Sequence, residues 1–194
     1  MMKKQMAWTG IASFLWVSAL VGAQEIQRFG GETPRMSTRI AFFGQNSSEG
    51  QLAIAYGQPE WKAEYETQFD ALTKGKRWRF GNNFWTTLDS HLDLTMAGVE
   101  VASGYYYLVV ERTEDDDWFL VLLDPKEARS KKLDAFMVDR TTGGIKVPLN
   151  WEKTESSTDK LDIKLIPDEG DITAATLDIR WGPHQLTTAI KVTL

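Results

Sequence analysis

Hydrophobic and polar positions alternate most cleanly from Phe84 onward. Phe84, Thr86, Leu88, Ser90, Leu92 and Leu94 fall on one face of an extended chain, and Trp85, Thr87, Asp89, His91 and Asp93 fall on the other. The pattern predicts a strand with the first set turned toward a core. Met96-Ala97-Gly98-Val99-Glu100 reads as a turn, and Val101 to Glu111 as a returning strand rich in Tyr, Val and Leu. Glu114-Asp115-Asp116-Asp117 supplies the next hairpin loop. Trp118 to Leu123 is apolar at both parities, as befits a central strand covered on both faces.

The same grammar runs through the rest of the chain. Ile40 to Phe43 and Leu52 to Tyr56 flank a cluster of turn-formers from Gly44 to Gly50, and Gly57-Gln58-Pro59 ends the second strand. Upstream, Gln24 to Arg39 is a polar, extended lead-in. Alternating runs follow at Ile145 to Trp151, Leu161 to Leu165, Ala175 to Trp181 and Leu186 to Leu194. Ser156 to Asp159, Pro167 to Asp171 and Gly182-Pro183 read as the turns between them. Trp61, Tyr65, Phe69 and Leu72 are spaced as on one face of a short helix, which predicts a helical or irregular segment near 61–74 that covers a sheet end. An aromatic lid is the functional counterpart of that reading. After Asp124-Pro125 a helical turn is expected over Lys126 to Lys132, then a short strand over Leu133 to Val138. No fixed-period repeat is visible. The fold class is all-β: an antiparallel β-sandwich of about ten strands.

The start of the chain changes the picture, because it reads as an address. Lys3 and Lys4 precede an uncharged stretch from Ala7 to Leu20, and Val21-Gly22-Ala23 suits a signal peptidase. Cleavage is expected between Ala23 and Gln24. The apolar run of about 14 residues falls short of the roughly 20 that span a bilayer, so no membrane span is expected after cleavage. A single domain from Gln24 to Leu194 then remains, and loss of the two lysines takes the net charge from −5 to −7. That acidity argues against nucleic acid and anionic membrane surfaces as partners. The chain has no cysteine, which excludes disulfides, thiolate catalysis, Cys-ligated zinc and a lipid anchor on cysteine. A bacterial periplasm or exterior is the expected compartment, since exported eukaryotic domains more often carry disulfides.

Arg77 to Thr87 is the most concentrated stretch of chemistry, with two Trp, two Arg and two Asn. Trp78, Arg79, Asn82, Asn83 and Trp85 are the candidate ligand-binding residues. Aromatic faces there suit sugars or cations, and an arginine fork suits carboxylates. The alternative is a clamp in which Arg79 and Asn82 bond loop carbonyls and pin two strands together. Asp89-x-His91-x-Asp93 places side chains about 6.6–7 Å apart on one strand face, too far to converge on one metal. His184 follows Gly182-Pro183, where a surface histidine in a turn is expected. Glu114 to Asp117 lacks calcium-loop spacing. Nucleophile elbows, phosphate loops and dinucleotide fingerprints are missing. No catalytic residue, cofactor or metal is therefore assigned. The expected role is a binding or structural module of the bacterial envelope whose partner is a small ligand, a glycan or an envelope protein. A carboxylate-dependent hydrolase and a scaffold that pairs through a sheet edge are the alternatives.

These residues also carry a family likeness. Lys76-Arg77-Trp78-Arg79-Phe80-Gly81-Asn82, followed by Thr86-Thr87, resembles the Trp-Arg-x-Gly-x-Asn core of domain-of-unknown-function family 2911. Ile54 to Pro59 resembles that family's strand ending in Tyr-x-x-Pro. Gly98 with Ala102-Ser103-Gly104-Tyr105 resembles its Gly…Ala-Gly-x-Tyr hairpin with Ser103 inserted. Trp118 and the run from Ala174 to Trp181 match further positions. The resemblance covers about Thr33 to Val192 and departs from the family between Trp61 and Lys74. It implies an exported bacterial β-sandwich and no particular reaction.

Overall fold

The computed structural model describes Thr33–Leu194 as one compact unit. The expected signal peptide over residues 1–23 and the start of the lead-in lie outside the described residues. Ten strands form: β1 (Met36–Phe43), β2 (Ser48–Tyr56), β3 (Lys76–Trp78), β4 (Thr86–Ser90), β5 (Leu94–Met96), β6 (Val99–Val101), β7 (Gly104–Arg112), β8 (Trp118–Leu123), β9 (Ile145–Pro167) and β10 (Ala174–Val192). All pair antiparallel, in the order β1-β2-β4-β7-β8-β9-β10-β5-β6, with β3 beside the far end of β7. The path is open, and the fold is the all-β, sandwich-like architecture that the alternation implies. Among the described residues no helix is long and apolar enough to cross a membrane.

The path folds over at β9. Its first residues, Ile145 to Leu149, pair with β8, and the rest pairs with β10, so one strand belongs to both layers. Sequence patterning divides this region into four strands; the structure has two long ones. Gly182-Pro183 lies inside β10 opposite a bulge in β9, not in a turn between strands. Thr154 to Ser157 of β9 stand opposite Pro183 alone, since Gly182 pairs with Thr158 and His184 with Lys153. Pro183 is tolerated because a bulge leaves ladder positions unpaired. Gly182 has φ of +61°, and a Cβ on it would overlap the Trp61 ring, so glycine is required both for the backbone and for the seat it makes.

One core fills the space between the layers. Leu52, Ile54, Leu88, Leu108, Leu120 and Leu122 of the first layer meet Leu161, Ile163, Leu177, Ile179 and Ile190 of the second. The outer face of β7 and β8 is covered too. Trp85, Tyr107, Val109, Val121 and Leu123 pack beneath α2 (Pro125–Ser130) and a 3-10 turn over Ala135–Arg140 through Ala128 and Ala135. Burial of both faces of β8 is why Trp118 to Leu123 carries no alternation. The 3-10 turn replaces the expected strand over Leu133 to Val138: the Asp134 side chain accepts from the Phe136 N–H and caps a helical start.

The long strand expected from Phe84 to Leu94 is broken. β4 begins at Thr86, and after Ser90 the chain crosses to the second layer, where Leu94 pairs along β10 as part of β5. Burial before Thr86 also differs from the expectation: Phe84 is 64% exposed, and Trp85, on the outer face, is only 7% exposed because that face is covered. The loop ahead of β4 runs to Trp85, so period-two reasoning does not reach Phe84. β1 starts at Met36, inside the segment expected to be a polar lead-in.

The Tyr56 hydroxyl ties the layers across the core. Tyr56 Oη, on β2, accepts from the Ile163 N–H at 3.1 Å and donates to the Ile163 carbonyl at 3.4 Å. Tyr56→Phe leaves that buried N–H unmet, which costs about 1–3 kcal/mol. Urea unfolding should show a lower midpoint with an unchanged m-value. A midpoint equal to wild type would mean that β9 is held without this bond.

Candidate functional site

The loop between β3 and β4 is shaped by close backbone approaches. The Thr86 hydroxyl donates to the Phe80 carbonyl and closes the loop from within. Asn82 lies against Gly57 so closely that a Cβ there would overlap its side-chain oxygen and its carbonyl. Its amide donates to the Gln58 carbonyl at 3.4 Å. Asn83 takes a left-handed φ of +66°, a conformation that asparagine tolerates better than most residues.

From this loop the five candidate residues diverge. Trp78 points inward, where it packs on the main core with its ring 6.3 Å from that of Trp181. Arg79 lies over the Phe136 ring at 4.0 Å, and burial lowers its pKa while Asp134 opposes the shift. Trp85 stacks on Tyr107 with centroids 4.9 Å apart and planes within 6°. Trp78 and Trp85 thus serve opposite faces of the first layer and share no groove. Asn82 and Asn83 alone reach a common cleft.

That cleft encloses about 290 Å³ between Arg35, Met36, Gln58, Asn82, Asn83 and Lys160. Three separate segments build it. Arg35, just ahead of β1, donates through Nη2 to the carbonyls of Ala55 at 2.9 Å and Trp85 at 2.7 Å. Its Nη1 is buried without a partner among the described residues, and burial lowers its pKa. Gln58 is held by donation to the Leu161 carbonyl at 3.0 Å. Lys160 comes from β9, with Glu60 3.9 Å away and exposed. Arg35, Gln58 and Lys160 carry no local signal in the sequence, because their proximity is a product of strand pairing alone.

A second concentration of chemistry lies under α1 (Ala63–Thr73) at one end of the sandwich. This is the helical segment expected near 61–74, with one change: Leu72 is exposed, while Trp61, Tyr65 and Phe69 face inward onto Trp181 and His184. His184 is not on the surface. It is 7% exposed, lies flat on Phe69 at 3.5 Å and stacks near Trp151 at 6.0 Å. Its Nε2 sits 3.2 Å from Glu66 Oε2 of α1, and Glu66 also receives Lys153. The neutral tautomer that donates from Nε2 fits this site, because buried Nδ1 has no partner and a proton there would find no acceptor. Burial accordingly holds the imidazole pKa below its usual value, with Glu66 opposing and Lys153 and Arg112 adding to the depression. Arg112 anchors the other end of α1. It bonds Asp70 at 2.7 Å and Thr73 at 2.9 Å, while its Nε donates to Asp116 at 3.0 Å.

The family model described as Protein of unknown function (DUF2911) matches residues 39–190, and the chain belongs to that family. Comparison with curated proteins and with solved structures finds no match.

The docking of α1 should weaken in acid. A histidine whose folded pKa is depressed contributes stability in full above its unfolded pKa of 6.5 and loses it as pH falls toward the folded value. Glu66 is depressed as well, chiefly by Lys153, and its contribution is lost only at lower pH, through the carboxylate range. Chemical denaturation should therefore show stability falling between pH ~7 and ~5, by at most about 1.4 kcal/mol per pH unit from one site. His184→Phe should flatten that slope while keeping the stack on Phe69. An unchanged slope would assign it to other groups.

Proposed function

We propose that this family member is a non-catalytic binding module of the bacterial envelope. In this reading the cleft at Arg35, Asn82, Asn83, Gln58 and Lys160 takes a small ligand through a carboxylate or like oxyanion. The carrying observation is a reversal of charge. The chain as a whole is acidic, with net charge −5, yet among the described residues the ionisable groups lining the cleft, Arg35 and Lys160, are both cations. Burial of Arg35 disfavours its charged form, and a bound anion would offset that desolvation. Nη2 is committed to two carbonyls, which fixes the guanidinium and its charge beside the cleft, while Nη1 is buried without a partner among the described residues. The side-chain amides of Asn82 and Asn83 offer both donors and acceptors, as hydroxyls beside a carboxylate would require. A volume near 290 Å³ lies at the lower bound of small-molecule sites and suits a single acidic sugar or amino acid.

The cationic lead stretch with Ala7 to Leu20 and Val21-Gly22-Ala23 supports export with cleavage after Ala23. Such a module would meet its ligand in the periplasm or outside the cell.

Calorimetric titration with galacturonate, with galactose as its neutral counterpart, tests the binding reading. Galacturonate should bind and galactose should not. Arg35→Gln should weaken the interaction about tenfold or more, since hydrogen bonds to charged groups are worth about 1.5–3 kcal/mol. Lys160→Gln should reduce its salt dependence. Equal affinity for the two sugars, or binding indifferent to Arg35, would contradict the assignment. N-terminal sequencing of protein recovered from the periplasm should begin at Gln24; an intact Met1 in the cytoplasm would contradict export.

A further inference from the structure

We infer that the notch where β9 parts from β8 is a second binding site, for a neutral oligosaccharide, with Trp151 as its stacking platform. The inference does not rest on the Arg35 cleft. β8 begins at Trp118, which pairs with Leu149, so Asn150 and Trp151 continue β9 past the end of its neighbour. On that side no residue of β8 lies beside them. The loop bearing Asp116 and Asp117 forms the opposite wall, and the groove between has a volume of about 530 Å³.

Trp151 continues the inward parity of Val147 and Leu149, yet it is 42% exposed. Two flat neighbours fix its ring. Trp118 lies within 10° of parallel at 6.3 Å, and His184 within 25° at 6.0 Å. The part of the indole that Trp118 and His184 leave uncovered borders the groove and offers an apolar surface of set orientation, which suits the C–H groups of a pyranose. A sugar also needs hydroxyl partners; the exposed side chain of Asp117 supplies one across the groove, and Asn150, of opposite parity to Trp151, supplies another at the open edge of β9. A carboxylate accepts, and an amide both donates and accepts. Asp117 uses its backbone, not its carboxylate, to close the hairpin with Thr113.

Charge decides the class of sugar. Among the described residues the charged groups lining this groove are Asp116 and Asp117, and Asp116 is paired with Lys74 and Arg112. The unpaired carboxylate repels an acidic saccharide, so the groove suits a neutral one. A groove of this volume admits more than one sugar unit, which favours an oligosaccharide over a monosaccharide.

Tryptophan fluorescence of the whole protein, titrated with cellotriose, chitotriose, maltotriose and xylotriose, tests the inference. At least one should give a saturable change. Trp151→Ala should weaken it about tenfold or more, and Trp151→Phe less. Asn150→Ala, an exposed change, provides a second variant whose folding is not at issue and should also weaken binding. Arg35→Gln should leave it unchanged. No saturable change with any of the four sugars would overturn the proposal. So would affinity equal to wild type in folded Trp151→Ala and Asn150→Ala variants. Saturable binding of choline in place of the sugars would also overturn it, because an aromatic face beside a carboxylate can accept a cation.

Discussion

A strand that serves two layers has to leave one of them, and β9 does so after Leu149, at its last pairing with β8. Departure opens the end of the sandwich and leaves Trp151 partly exposed beside the buried Trp118. The bulge opposite Gly182 lets β9 and β10 continue together around that corner. Gly182 then receives the Trp61 ring, which fastens the segment leading into α1. Helix α1 owes its position to this corner and to polar anchors at each end, Glu66 on His184 and Asp70 on Arg112, more than to a broad apolar face of its own. Buried polar groups of this kind are sensitive to their partners, because a lost partner leaves a desolvation cost unmet.

The same constraint separates two surfaces of opposite character. On one side, strand crossing brings the end of β2, the β3–β4 loop and β9 together, and Arg35 and Lys160 make that cleft cationic. On the other, the notch beyond β8 is aromatic and acidic. In neither place does a loop insertion create the surface. Both are consequences of where paired strands begin and stop, which brings the connecting loops that bear Asn82, Asn83, Asp116 and Asp117 up against β9.

Much of the fold is legible in the sequence, and the failures have physical causes. Trp118 to Leu123 announces double burial because both parities are apolar, and the spacing of Trp61, Tyr65 and Phe69 announces α1. Phe84 misleads because alternation describes only residues inside a strand, and here the strand starts at Thr86. Gly182-Pro183 has the composition of a turn, and only the register shows β10 running through it opposite a bulge in β9. His184 was thereby hidden: a histidine beside a turn reads as exposed, whereas one on a continuing strand beneath a helix is buried. The concentrated stretch from Trp78 to Trp85 is legible as important and not legible as to role. Its side chains radiate to two faces of a layer and into one cleft, a distribution that linear proximity cannot reveal. Arg35 and Lys160 sit 125 positions apart and meet only through pairing.

The central claim is that the cationic cleft holds an oxyanion. Two-dimensional NMR of side-chain nitrogens during titration with galacturonate tests it most directly. The account predicts that the Arg35 Nε resonance and the side-chain amides of Gln58, Asn82 and Asn83 shift together along one saturable curve, while the indole resonances of Trp118 and Trp151 stay in place. Shifts that spare Arg35 and the two asparagines, or that scatter over the surface without saturation, would contradict it.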